Sequence, residues 1–255
     1  MTEMREVSIN GRWPLVLPEH RAARPEWPYW EKERLGSMYD HLGPGDLVFD
    51  VGSEEGDFPA LWASWGCGVV LVEPNPRVWP NVRTIFEANE LPPPHGWFVG
   101  FAAPDNFIPP GEDDRAVSKR WRTTGGPLDE AWPPCAYGPV IGDHGFSNLC
   151  ERPDIPRVRV DELADLYGPP TAITIDTEGS ELAVLQGAAG VLDHHRPLVW
   201  VSIHPEFSVD MYGVTKEDCL QFMADHGYAC ELLAVDHEEH FFCAPIRSGA
   251  EMYDK

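Results

Sequence analysis

The chain has 255 residues, 43% hydrophobic and 11% aromatic, enough apolar material for one large domain with a full core, and its 26 prolines predict long ordered loops. With 42 acidic against 19 basic residues the formal charge is -23, a field that repels polyanions and argues against a nucleic-acid partner. No stretch approaches the roughly 18 uninterrupted apolar residues of a membrane helix, and the polar start from Met1 to Glu6 has no apolar leader, so we expect a soluble, cytoplasmic protein without membrane association.

Residues 1–34 carry Pro14, Pro18, Pro25 and Pro28 among Trp13, Trp27 and Trp30, a pattern that predicts an extended N-terminal arm rather than a core element. A helix is expected from about Trp30 to Leu42, with Leu35, Met38, Tyr39 and Leu42 on one face and Gly43-Pro44-Gly45 ending it. Leu47-Val48-Phe49 reads as a short buried strand, Phe58 to Trp65 as a helix stopped by Gly66-Cys67-Gly68, and Val69 to Val72 as the next strand. A second helix from about Pro76 to Asn89 and a third strand from Trp97 to Phe101 complete two βα units. Such units predict a parallel sheet with right-handed crossovers, an open α/β fold.

Residues 103–155 break this rhythm with repeated Pro and Gly and no periodic element, which predicts a long loop or lid insertion that is functional or mobile. The rhythm then resumes with a strand Val158–Val160, a helix Asp161–Tyr167, a strand Ala172–Ile175, a helix from about Ser180 to Leu192 and a strand Leu198–Ile203. A helix Lys216–His226 and a strand from about Cys230 to Val235 follow. Asp236-His237-Glu238-Glu239 reads as a hairpin turn into a last strand, His240–Ala244, which must then be antiparallel. The six cysteines, at 67, 135, 150, 219, 230 and 243, form no CxxC pair and no regular spacing, so reduced thiols are expected.

Ligands of an open parallel sheet bind outside the carboxyl ends of its strands, and Asp50-Val51-Gly52-Ser53-Glu54-Glu55-Gly56-Asp57 stands at such an end. Gly52 and Gly56 allow a tight turn and a close backbone approach, while Asp50 and polar neighbours such as Glu54 offer acceptors to an ammonium group. Glu73 ends the following strand, where a carboxylate can take both hydroxyls of a ribose. The pair suits S-adenosylmethionine. A nicotinamide oxidoreductase would want G-x-G-x-x-G to hold pyrophosphate, and Glu54 and Glu55 would repel that group. An ordinary βα turn with a surface glutamate is the simpler alternative.

LVFDVGSEEGDF, VVLVEPNP, GFSNL leading into IPRVRVDEL, and ITIDTEGSELAVLQGA together make the chain resemble the FkbM family of methyltransferases, from about Leu35 to Ala244. The resemblance implies a class I methyltransferase fold, Rossmann-like, with seven strands of which the last is antiparallel. It also implies methyl transfer from S-adenosylmethionine to a hydroxyl of a sugar, glycan, polyketide or similar small metabolite. By position it implies that Asp50, Gly52, Gly56 and Glu73 bind the cofactor, that Ala102 to Asn106, including Asp105, approach its adenine, and that Asp176, Glu178 and Glu181 form the family's acidic motif. Ser53-Glu54-Glu55 departs from the small or amide residues common there.

Topology sharpens the expectation. Asp176 and Glu178 follow one parallel strand, His204 the next, and the 236–240 turn a third, so all lie on the edge of the sheet that carries the glycine turn. Methylating a hydroxyl needs its proton removed or its oxygen polarised. Asp176, Glu178 and His204 are the candidate catalytic residues, and Asp176 and His204 with His237 or His240 the candidate ligands of a divalent metal ion. Each has a simpler role available: Asp176 as a helix cap, His204 as a strand end before Pro205, His237 and His240 as solvated turn residues. Trp121, Trp132 and the arm's tryptophans offer a platform for a sugar ring or plain cover for the core, and Arg115, Lys119, Arg120 and Arg122 a site for an anionic acceptor or a solvated segment. A noncatalytic module with a degenerate nucleoside pocket is the third class of reading. The sequence contains nothing that sets the oligomeric state.

Overall fold

The computed structural model describes residues 3–75, 78–104, 132 and 157–246. At the N-terminus Met4–Ile9 (β1) and Trp13–Pro18 (β2) pair antiparallel around Asn10 and Gly11, both left-handed with φ of 52° and 64°. Asn-Gly between alternating apolar residues is a strong hairpin signal, and here it outweighs the prolines that suggest an extended arm. Ile9, Leu15 and Leu17 are buried, so this segment belongs to the core, contrary to the expectation from composition. Glu19–Ala22 (α1) and Lys32–His41 (α2) follow, and Trp13 and Trp27 are buried with them.

The α/β body then runs through Leu47–Val51 (β3), Asp57–Ser64 (α3), Gly68–Val72 (β4), Trp79–Ala88 (α4) and Gly96–Phe98 (β5). Phe101–Ala102 (β6) pairs in parallel with Arg157–Val158 (β7) as a separate ribbon, so the strand expected over 97–101 is two pieces. Val160–Tyr167 (α5), Ala172–Asp176 (β8), Glu181–Gly187 (α6), Ala189–His194 (α7), Leu198–Ile203 (β9), Pro205–Tyr212 (α8), Lys216–Asp225 (α9), Tyr228–Val235 (β10) and Glu239–Pro245 (β11) complete it. The helix expected over 180–192 is broken at Ala188. Helix α8 is not among the expected elements; Pro205 suits its first position because the missing N–H is not needed there.

The seven strands are ordered β10-β11-β9-β8-β3-β4-β5. β3, β4, β5, β8 and β9 are parallel, whereas β11 is antiparallel to both β9 and β10, as the hairpin reading requires. The near-continuous apolar runs of β3, β4, β8 and β9 follow from burial on both faces of a parallel sheet. Phe49, Val51, Ile173, Ile175, Val199 and Val201 face a cluster that includes residues of α5, α6 and α9. Val48, Leu71, Ala172 and Trp200 face a second cluster that includes the N-terminal hairpin, α2, α3 and α4.

Chain progression reverses between β3 and β8: β4 lies on one side of β3 and β8 on the other, which leaves a crevice at their carboxyl ends. Cys230 and Cys243 stand opposite each other on β10 and β11 and form a disulfide, which corrects the expectation of reduced thiols for that pair; Cys67 and Cys219 are free and buried. Among the described residues no helix is long and apolar enough to cross a membrane.

Candidate active site

The turn after β3 is shaped by close approach. Gly52 has φ 95°, and a Cβ there would lie 1.8 Å from the carbonyl oxygen of Asp176 on the neighbouring strand. Gly56 has φ 89°, and its Cβ would meet Val82 Cγ1 at 2.8 Å. Both therefore need glycine, for φ and for space. Asp50 is buried at the base of the turn and faces the crevice; its Oδ2 has no hydrogen-bond partner among the described residues, and burial pushes its carboxyl up to about 7.

Glu73, at the end of β4, accepts the N–H of Asn75 on Oε1 at 2.7 Å and that of Glu54 on Oε2 at 3.0 Å. Each oxygen retains acceptor capacity towards the crevice. Burial drives this carboxyl up to about 8.

Glu54 is itself left-handed, with φ 46°. Its carboxylate, which also lines the crevice, takes both guanidinium nitrogens of Arg21 at 3.0 and 3.1 Å, with Arg24 at 3.8 Å, so these cations compete for it with any ammonium group. What it contributes to the turn is the N–H bonded to Glu73. Glu55 is fully buried between His20 Nε2 and Asn81 Nδ2, each at 2.7 Å.

Across the crevice four carboxylates converge on His204, which follows β9. Its Nδ1 lies 3.0 Å from Glu181 Oε1; its Nε2 lies 3.0 Å from Glu238 Oε2 and 3.7 Å from both Asp176 Oδ1 and Glu178 Oε2. Burial alone would favour the neutral ring, but Glu181, Glu238 and Asp176 push its pKa up to about 11, so His204 is an imidazolium at neutral pH. Burial raises Asp176 well above the ordinary carboxylate range, with Glu238 adding to the effect, and burial also raises Glu178. Glu238 moves the other way: burial opposes ionisation, but the bond and charge of His204 hold its pKa down.

Arg34 of α2 joins this group from below. It donates to Glu31 Oε2 at 2.6 Å, to Thr174 Oγ1 at 2.7 Å and to Asp176 Oδ2 at 3.2 Å, and it is 2% exposed. Neither Arg34 nor Glu238 stood out in the sequence. A lone arginine on a helix has no pattern, and Glu238 sits within a polar tetrad that reads as an ordinary turn.

The histidines of that turn do not join the expected metal set. His240 is buried against Ser202 Oγ at 2.8 Å, with Asp236 Oδ2 at 3.3 Å, because the alternation of β11 turns it away from the crevice. His237 lines the crevice but is exposed, and it contacts Asp236 and Glu238 at 3.0 and 3.1 Å rather than Asp176. Ligand atoms of Asp176, His204 and Glu238 lie within 4.8 Å of one another, and so do those of Asp236, Glu238 and His240, so the expected ligands divide between two groups that share Glu238.

One cavity of about 780 Å³ joins both groups. Asp50 to Glu55, Glu73, Phe101 and Ala102 line one half, and Asp176, Glu178, His204 and Glu238 the other. Trp30, His237, His204 and Phe207 form an aromatic row along the second half, with successive ring centroids 6.0, 6.5 and 6.0 Å apart. Trp132 instead packs on Phe86, at 5.5 Å. Asp105, Trp121 and the basic run at 115–122 lie outside the described residues.

The family model "Methyltransferase FkbM domain" matches residues 50–230. The chain belongs to the FkbM methyltransferase family. It is accordingly an S-adenosylmethionine-dependent methyltransferase, and its strand order, with antiparallel β11 inserted between β9 and β10, is that of the class I fold. The crevice suits the cofactor: Asp50 offers an unpaired buried acceptor, Gly52 a surface without Cβ, and Glu73 two oxygens for a diol.

Solved structures similar to this FkbM methyltransferase include FkbM from Methylobacillus flagellatus, with 17% identity over 78% of this chain and 43% of that longer one, TM-score 0.46. Precorrin-6y C5,15-methyltransferase from Geobacter metallireducens has 10% identity over 84% of this chain and 87% of that one, TM-score 0.46. The Methanococcus jannaschii fibrillarin pre-rRNA processing protein has 9% identity over 95% and 82%, TM-score 0.47. No curated protein sequence matches the chain.

Proposed function

We propose that this enzyme methylates a hydroxyl oxygen of a small polyhydroxylated acceptor, a sugar or glycan, with Asp176 as the proton acceptor. The observation that carries the reading is the partly exposed Asp176 carboxylate, raised in pKa and anchored by Arg34, in the same cavity as the cofactor turn. When bound, S-adenosylmethionine supplies an electrophilic methyl group on its sulfonium. A carboxylate whose pKa is raised by burial, as that of Asp176 is, accepts a hydroxyl proton better than an ordinary aspartate as that oxygen attacks.

His204, charged and fixed by Glu181 and Glu238, orients Asp176 and Glu178 and offsets their mutual repulsion. The aromatic row gives a sugar ring an apolar face. The charge of -23 favours a small acceptor over nucleic acid, and we place the enzyme in the cytoplasm.

The test is transfer of labelled methyl from S-adenosylmethionine to a panel of sugars, nucleosides and amines by wild type and Asp176→Asn. Label on a sugar hydroxyl, lost in the variant, supports the reading; label on nitrogen alone refutes it. A divalent cation held by Asp176, His204 and Glu238 is a second reading, favoured by their convergence, and it requires His204 to give up its proton. Metal content of protein purified without chelator, and activity after dialysis against EDTA, decide it: full activity without metal removes the cation.

A further inference from the structure

The turn from Asp50 to Asp57 holds four carboxylates in eight residues, an arrangement that opposes its own compact shape. The compensation comes from outside the family domain. Arg21, 3% exposed, takes both oxygens of Glu54, pairs with Asp57 and lies 3.6 Å from Glu55. It is held from behind, because Trp27 Nε1 donates to its carbonyl at 2.8 Å and the guanidinium lies 5.9 Å from the Trp27 ring centre. His20 reaches Glu55 from the same short helix.

The fork has a consequence one bond further on. Glu54 adopts a left-handed conformation that costs a non-glycine residue about 1 kcal/mol or more. In that conformation its N–H is bonded to Glu73 Oε2.

We propose that Arg21 is a positioning residue for cofactor binding: by clamping Glu54 it orients Glu73 towards the ribose of S-adenosylmethionine. This rests on the reading of Glu73 as the ribose acceptor. The N-terminal segment, which lies before the residues that match the family model, is thereby part of the cofactor site, and it is what lets this chain carry Glu54-Glu55 in its turn.

S-adenosylhomocysteine is the probe for equilibrium titration of wild type, Arg21→Met, Arg21→Lys, Glu54→Gln and Arg21→Met/Glu54→Gln. Arg21→Met should weaken binding, and raise KM for S-adenosylmethionine, by about tenfold, with kcat at saturation within about twofold. Arg21→Lys keeps the charge but loses the fork and should fall between the two. Glu54→Gln removes the charge that Arg21 grips and should itself weaken binding, by less than Arg21→Met because the amide oxygen still accepts from the guanidinium; in the Arg21→Met background it should add no further loss, since the contact it weakens is already gone.

A clamp that serves only folding predicts lower thermal midpoints with unchanged affinity well below them, and that result overturns the proposal. If Arg21→Met does not fold, wild-type affinity in Arg21→Lys overturns it equally. Glu73→Gln separates the two readings. If it binds the probe as wild type does, the ribose assignment is wrong; if it weakens binding while the Arg21 variants do not, only the clamp is wrong.

Discussion

Replacing Gly52 by alanine tests the point where the cofactor turn meets the proposed catalytic strand. The new Cβ would stand 1.8 Å from the carbonyl oxygen of Asp176 and 2.8 Å from its carbonyl carbon, where real Cβ atoms essentially never come within 3.0 Å. The obstacle is backbone, so no rotamer change relieves it. A side chain at φ 95° adds strain of about 1–3 kcal/mol, and overpacking a further 1–3 kcal/mol, roughly. The expected loss of about 2–6 kcal/mol corresponds to a thermal midpoint lower by at least about 4 °C.

Relief requires Asp176 or the turn to move by more than about 1 Å, a displacement that costs roughly 100-fold in rate when it falls on a reacting group. Differential scanning fluorimetry with and without S-adenosylhomocysteine, and kcat/KM from labelled methyl transfer, read both effects. Gly68→Ala is the control, since the tightest contact of its Cβ would be the flexible Leu47 Cδ1 at 3.3 Å, with Asp46 O and His95 Cβ at ordinary distances of 3.8 and 4.0 Å, and it should shift the midpoint by less than about 3 °C. Gly52→Ala with wild-type stability and kcat/KM would show that the contact between turn and strand is not as described.

Asp176→Asn should lower kcat by about 10²–10⁴ while leaving the affinity for S-adenosylhomocysteine within about twofold, measured by calorimetry; equal turnover by the two proteins refutes the proton-acceptor role. His204→Phe strands Glu181 and Glu238 without their cation and should destabilise the fold by about 3–5 kcal/mol in urea titration, whereas a loss under 1 kcal/mol, roughly, would mean that His204 is not charged in the native state. The pH dependence of stability has a defined sign. Asp50 and Glu73 are raised by folding, from 3.8 to about 7 and from 4.5 to about 8, so the stability they contribute is fully present below the unfolded values and lost as pH rises through the folded ones. The thermal midpoint of the ligand-free enzyme should therefore fall between about pH 5 and 8, and less steeply in Glu73→Gln; the same slope in both proteins counts against burial of an ionisable Glu73.

Sequence alone determined the α/β fold, the turn after β3 with its two obligatory glycines, the glutamate ending β4 and the antiparallel last strand, because these depend on local signals: apolar runs, glycine spacing and a polar hairpin turn. The hairpin of β1 and β2 was equally local, in Asn10-Gly11, but Pro14 and Pro18 obscured it; alternation places Pro14 on the exposed side of β2. Only the tertiary structure decided the chemistry around His204. Strand order brings Asp176 and Glu181 from one segment and Glu238 from another to one imidazole, and their bonds and charges, rather than any property of histidine, favour its charged form. The same holds for Arg21 and Arg34, each the lone arginine of its helix, whose burial and partners exist only after the N-terminal segment has packed against the ends of β3 and β8. Charge compensation acts through space and leaves no period in the chain.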